Sequence, residues 1–241
     1  MDSSKSIPTY AIVGSGKMAQ HTAKYFDLLE IPFTTWSRRA EISLEDAIEP
    51  ADVVLVLISD DSIEQFVQEK GLSDRHTVVH FSGAIVSERA VGMHPLSTFG
   101  PQLYDLETYK RIPFVCEKGS PDFRDIFPYL ENPTFSIATD DKPLYHAVSV
   151  MAGNFTVHLW NKLFETFSTD LDLPAEIAIP YLEQVCRNIA RNPGTESTGP
   201  IARRDRGTIS KNLEALGTDP FGEVYRAMVT AVSPQPNHPQ P

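Results

Sequence analysis

The sequence predicts an α/β chain: an N-terminal doubly wound parallel sheet followed by a C-terminal all-helical domain. Three observations predict it. Short, β-prone apolar runs recur in the first half, at Tyr10–Val13, Phe33–Trp36, Val53–Ile58 and Thr77–Phe81, with helical stretches between some of them. One run, "DVVLVLIS", is apolar without alternation, which suits a strand buried on both faces of a parallel sheet. From Lys142 onward the apolar residues shift to i, i+3/i+4 spacing, the period of a helix face.

The first run leads into Gly14-Ser15-Gly16, and a helix is predicted over Met18–Leu29. With Ala19 as the third small residue, this fits G-x-G-x-x-G/A between a strand and a helix. One glycine makes the tight turn, the next lets a pyrophosphate approach the backbone, and the small third residue packs helix on strand. The pyrophosphate would rest on the helix N-terminus, where free N–H groups favour anions. Gly14, Ser15, Gly16, Lys17 and Met18 are therefore candidate cofactor residues.

The second run ends in "TTWSRRAE". A fold that prefers NAD carries Asp or Glu about 20 residues after the glycines, to hold the ribose 2′-OH. This chain has Ser37, Arg38 and Arg39 there. A carboxylate repels a 2′-phosphate, whereas a hydroxyl and guanidinium groups bind it. The pattern points to NADP, and the alternative is a solvated basic turn. The third run ends at Ser59 and Asp60, where ligands bind in open sheets. Asp60–Ser62 also reads as the cap of a helix over Ser62–Glu69. After the fourth run, Ser82-Gly83-Ala84 is small enough for a nicotinamide to lie against backbone, or it is a plain turn. "GMHPLSTF" puts His94 at the end of a possible sixth strand, held extended by Pro95. A histidine with a pKa near neutrality suits proton transfer to a nascent amine or alkoxide, and the rival reading is a buried structural histidine. Short strands at Pro113–Cys116 and Thr134–Ala138 complete the first domain, residues 1–139.

The helical domain, residues 140–232, opens with one long amphipathic helix over Lys142–Phe167. Leu144, Val148, Met151, Phe155, Leu159 and Leu163 form its apolar stripe, and Val150, Val157, Trp160 and Phe164 lie outside it. So much apolar surface on one helix predicts a homodimer through this half. A second stripe carries His146, Asn154, His158 and Asn161, either a working face or a solvated one. Gly153 costs this helix about 1 kcal/mol relative to alanine, which suggests close approach of a ligand or another helix. Further helices are predicted at Pro174–Asn192, Thr208–Leu216 and Pro220–Val232. In the loop "STGPIARRD", Thr198 and Arg203 are candidate substrate residues, with Arg203 anchoring a carboxylate or forming an ion pair. Asp205 is predicted to cap the next helix, and residues 233–241 read as a disordered tail.

A net charge of −11 over 241 residues argues against general nucleic-acid binding. Apolar runs are too short to span a membrane, and the N-terminus has no apolar signal region. Two cysteines without a CxxC leave no disulfide framework, so a reduced, cytoplasmic setting is expected. His76 and His80 stand about 13 Å apart on a strand, too far for one metal, and no metal site is predicted.

"VGSGKMA", "FSGA", "MHPLSTF", "AGNF" and "TGPIARRD" together resemble a family of Rossmann-like predicted NADP oxidoreductases with a C-terminal helical domain of unknown function. That family is distantly similar to pyrroline-5-carboxylate reductase and to the 6-phosphogluconate and 3-hydroxyisobutyrate dehydrogenases. The resemblance implies a Rossmann domain, a helical domain like the C-terminal domain of 6-phosphogluconate dehydrogenase, and NADP as cofactor. In the related dehydrogenases a lysine and an asparagine on the corresponding helix serve the reaction. Asn154 is the counterpart of that asparagine, and no lysine stands at matching spacing, which leaves His94, His158 or a water as proton donor. Arg204 departs from the family pattern, which has glycine before Asp205. The expected function is NADP-dependent reduction of a small C=N or C=O compound, with a non-catalytic NADP-binding sensor or scaffold as the alternative.

Overall fold

A computed structural model describes residues 8–194 and 197–232. The predicted tail, residues 233–241, and the N-terminal segment read for a signal lie outside the described residues. The chain divides into two compact units, Met1–Asn161 and Lys162–Pro241.

The first unit is built on one sheet. In chain order it contains β1 (Tyr10–Val13), α1 (Lys17–Leu28), β2 (Phe33–Trp36), α2 (Leu44–Ile48), β3 (Val53–Val56), α3 (Asp60–Lys70), β4 (Thr77–His80) and β5 (Val91–Pro95). Then follow α4 (Leu106–Lys110), β6 (Phe114–Glu117), α5 (Phe123–Ile126), β7 (Thr134–Ile137) and α6 (Lys142–Val150). Among the described residues seven strands pair in the order β2-β1-β3-β4-β5-β6-β7. The order reverses between β1 and β3, and the crevice outside the strand ends at such a point is where open sheets bind ligands.

Register puts that crevice in place. Val13 stands level with Trp36 of β2 and with Val56 of β3. The three stretches that follow, Gly14–Gly16, Ser37–Arg39 and Leu57–Ser59, therefore leave the sheet side by side. Alternate residues feed two cores, because successive side chains on a strand point to opposite faces. Tyr10, Ile12, Val53 and Leu55 pack with Tyr25 and Phe26 of α1. Ala11, Val13, Val54 and Val56 pack with Leu44 and Ile48 of α2 and Ile63 and Val67 of α3. This double burial explains the unbroken apolar run in β3.

The sheet is not parallel throughout. The stretch ending in His94 is the fifth strand in chain order, and β5 pairs antiparallel with β6. The chain comes into β6 from the opposite end, and β6 then pairs parallel with β7 after the crossover through α5.

The long helix is also interrupted. Between α6 and α7 (Thr156–Thr169), Met151–Phe155 forms a π-helical turn with Gly153 at its centre. A β-carbon built on Gly153 meets nothing within 4 Å, so no other part of the described chain packs closely on it. Its weak helix propensity instead sits where one residue is looped into the helix, as in other π-bulges. Leu144, Val148, Met151, Phe155 and Leu159 are exposed.

The second unit holds α8 (Ile179–Arg191), α9 (Arg206–Leu216) and α10 (Phe221–Val232). Lys162 pairs with Asp219 at 2.5 Å within it. Among the described residues no helix is long and apolar enough to cross a membrane.

Candidate functional site

The cradle begins with a backbone constraint. Gly14 has φ +138°, and a β-carbon there would stand 2.2 Å from the carbonyl oxygen of Leu57. Only glycine fits, because the chain is held between its neighbours at this turn: Gly14 N–H donates to Trp36 O of β2 at 2.8 Å, and Leu57 N–H, just after β3, donates to Val13 O at 2.8 Å. Gly16 is the opposite case. Nothing lies within 4 Å of a β-carbon built on it, so its open side faces outward and leaves room for a ligand. Ala19 is buried under α1. No side chain caps the N-terminus of α1, and its first turn holds no acidic residue. Its free N–H groups and the helix dipole are thus available to an anion.

These residues line a cavity of about 530 Å³, within the range of small-molecule sites. Gly14, Ser15, Gly16, Lys17, Met18, Ser37, Arg38 and Ser59 all contribute to it. Lys17 and Arg38 supply its charges, and its lining holds no carboxylate. Arg39 lies outside it and is exposed, with its backbone N–H donating to Ser37 Oγ at 3.4 Å. Trp36, Leu57, Ile58, Ser62 and Phe66 also line it and escaped the sequence reading as binding residues. Phe66 could have been found from its place one helical turn after Ser62, on the same face of α3. Trp36 and Phe66 stand with ring centroids 6.2 Å apart, giving this end of the cavity an aromatic wall.

Asp60 does not cap α3 as expected. Its carboxylate accepts a 2.6 Å bond from Ser82 Oγ, while Ser59 Oγ and Ser62 Oγ lie 3.0 Å apart. Ser82 Oγ in turn accepts from the backbone N–H groups of Ala84 and Ile85. The Asp60–Ser82 pair thus ties the end of β3 to the turn after β4. Both side chains are engaged with each other, so the turn's backbone is what remains to meet a ligand.

That turn brings a second group together. A β-carbon on Gly83 would lie 2.8 Å from His146 Cδ2 and 3.0 Å from His94 Nε2. The two imidazoles close on the backbone from β5 and α6, so any larger side chain here would have to displace one of them. Tyr145, beside His146 on α6, bonds His94 Nδ1 through its hydroxyl at 2.6 Å. The expected near-neutral His94 is corrected. Burial, reinforced by the charges of His146 and Lys142, pushes its pKa down to about 4. Burial raises the Tyr145 phenol above its ordinary value.

His94, His146 and Asn154 line one open cavity with Leu96, Ser97, Thr98 and the start of the π-helical turn. Asn154 is exposed at its edge. His158 is exposed and takes no part in the lining. Behind this group, Lys142 is buried and pairs with Glu117 at 2.6 Å, also donating to Ile85 O at 2.5 Å. This lysine lies at the start of α6, and the sequence reading passed over it. Nothing in the pattern marks it, since its partner is on a distant strand.

Thr198 and Arg203 lie in the second unit, where the Arg203 guanidinium donates to Thr198 O. Asp205 caps α9 as predicted, accepting from Thr208 N at 3.0 Å and Thr208 Oγ1 at 2.7 Å. Arg204 has φ +55°, the left-handed conformation that glycine favours.

Residues 116–232 match the family model described as Domain of unknown function (DUF2520). No curated protein matches the chain. Among solved structures, BF3122 of Bacteroides fragilis, a candidate NADP oxidoreductase, superposes with TM-score 0.75 at 21% identity, over 93% of this chain and 97% of that one. The reductive aminase of Aspergillus terreus, solved with NADPH and ethyl levulinate, gives TM-score 0.61 at 12% identity, over 94% and 95%. Pyrroline carboxylate reductase of Plasmodium falciparum, solved with NADP, gives TM-score 0.57 at 12% identity, over 93% and 96%. The fold is thus the Rossmann-like fold with a helical C-terminal region that the sequence resemblance implies.

Proposed function

We propose that this chain is an NADP-dependent oxidoreductase that reduces a small C=O or C=N compound. The cradle at the end of β1 carries the reading: it combines a glycine-only turn, an open Gly16, a free helix N-terminus, and Lys17 and Arg38 without a carboxylate. These residues fit a dinucleotide. The N–H groups at the start of α1 would hold the pyrophosphate, and Ser37 and Arg38 the 2′-phosphate, with Arg39 adding charge from outside. Bound there, the nicotinamide supplies a hydride. The Gly83 turn bounds the reacting end, and His94 and Asn154 orient the substrate. The named solved neighbours that bind NADP or NADPH support the same cofactor.

The exposed apolar stripe from Leu144 to Leu159 supports a homodimer through the helical half. Calorimetric titration with NADPH and NADH tests the cofactor, and equal or tighter NADH binding refutes it. One observation favours a second reading, a non-catalytic NADP-binding sensor or scaffold: the lining of the His94 cavity carries no lysine, aspartate or glutamate. Steady turnover of any carbonyl or imine with NADPH excludes that reading.

A further inference from the structure

The Gly83 turn holds a donor pair that the sequence did not reveal. We propose that Tyr145 holds His94 as the neutral Nε2–H tautomer and refills it with a proton, making the pair a relay that serves carbonyl reduction. The inference rests on the oxidoreductase reading above.

Three observations build it. The Tyr145 hydroxyl lies 2.6 Å from His94 Nδ1. A neutral imidazole that accepts at Nδ1 carries its proton on Nε2. The Nε2 edge lies against Gly83, where a β-carbon would come within 3.0 Å, while the bond to Tyr145 is made at the other ring nitrogen, Nδ1. Tyr145 is only half-buried, so its hydroxyl can exchange protons with water.

The step balances without a free cation. Hydride arriving at a carbonyl carbon leaves an alkoxide. The Nε2–H bond of His94 breaks as the alkoxide O–H bond forms. The Tyr145 O–H bond breaks as Nδ1–H forms. Once the product leaves, water gives a proton to the bare Nε2, leaving hydroxide to the bulk, as Nδ1–H returns its proton to the tyrosinate, which restores the starting tautomer. An alkoxide is far more basic than a phenolate, so the transfer runs downhill.

The same chemistry separates the two substrate classes. An imine accepts hydride readily only once protonated, and the iminium needs an acid to form it or a carboxylate to hold it. A neutral histidine does not supply the acid, and the cavity lining includes no carboxylate. Tyr145 is a positioning residue, and His94 is the group that touches the reacting oxygen.

Nitrogen-15 NMR of imidazole-labelled protein reads the tautomer without any substrate. The Nε2–H form is expected for His94 in the native protein, and a mixture of forms in Tyr145→Phe. An Nδ1–H form in the native protein overturns the proposal. Kinetics with NADPH and a panel of aldehydes, ketones and cyclic imines tests the rest. Tyr145→Phe is expected to lower kcat on the order of 10²-fold, with KM and NADPH affinity kept. The groups acting on His94 are His146, Lys142, Asp60 and His80, with Tyr145 in contact. For the neutral relay, kcat stays level between about pH 6 and pH 8. A kcat that falls across that range as pH rises identifies an imidazolium donor and overturns the relay, as does undiminished turnover in Tyr145→Phe. Reduction of imines alone overturns the substrate class. Native protein that binds NADPH yet reduces none of these compounds overturns the oxidoreductase reading, and the NMR result then stands apart from it.

Discussion

Replacing Lys142 with methionine tests how the His94–Tyr145 pair is held. Lys142 and Glu117 are buried, with side chains only 4% and 10% exposed, and their charged atoms stand 2.6 Å apart. Gly92 packs so closely on the pair that a β-carbon there would lie 2.3 Å from Glu117 Oε1 and 2.7 Å from Lys142 Nζ. Methionine keeps the length of the side chain but leaves Glu117 uncompensated and Ile85 O without its donor. Removing one partner of a buried pair costs about 3–5 kcal/mol. For a chain of this size that lowers the melting temperature by roughly 6–20 °C. Glu117→Leu should cost a similar amount by leaving Lys142 unpaired. The double variant should recover much of both losses, because the charge, not the volume, is what lacks a partner. Thermal and urea unfolding of the four proteins measure the cycle. Additive losses, or a Lys142→Met deficit under about 1 kcal/mol, would refute the reasoning and show the pair to be solvent-screened. Lys142 begins α6, one turn before Tyr145 and His146. The single variants should therefore also broaden the His94 NMR signal as the hold on Tyr145 loosens.

Replacing Arg38 and Arg39 together by alanine should weaken NADPH binding by roughly 10–100-fold, from charge-assisted bonds of about 1.5–3 kcal/mol, and leave NADH binding nearly unchanged in the same calorimeter. Gly14→Ala should abolish dinucleotide binding and lower stability by on the order of 3 kcal/mol, and a native melting curve would count against a clash with Leu57 O. Arg204→Gly should stabilise the protein by about 0.5–1 kcal/mol, since its φ of +55° strains any residue with a β-carbon; an unchanged or lower urea midpoint contradicts this. Burial, with the charge of Lys142, lowers the His80 pKa to about 4. The unfolded chain then binds more protons below its ordinary value of about 6.5, so stability falls as pH drops from there toward 4, by up to on the order of 3 kcal/mol. His80→Gln should flatten that slope in urea titrations at several pH values. Sedimentation at micromolar concentration should show a dimer, and a monomer alone opposes the apolar stripe as an interface.

The cradle was legible from sequence because its parts are local. The turn, the strand before it and the helix after it are contiguous, and glycines at Gly14 and Gly16 state their backbone needs directly. The basic pair after β2 could be placed because strand length and register put it beside that turn. The strands β1 and β3 were recoverable locally too, because burial on both faces leaves unbroken apolar runs. Pairing direction was not, because no residue in β5 or β6 records from which end the chain arrives. The π-helical turn escaped because one extra residue changes phase without changing composition. Above all, tertiary structure decided the partners. Tyr145 meets His94 across 51 positions, and Lys142 meets Glu117 across 25. Asp60 goes to Ser82 instead of to its own helix. Local pattern constrains what a residue's backbone does over a few neighbours. Which side chains share a site depends on where the topology returns the chain, and that is set by the packing of the whole sheet.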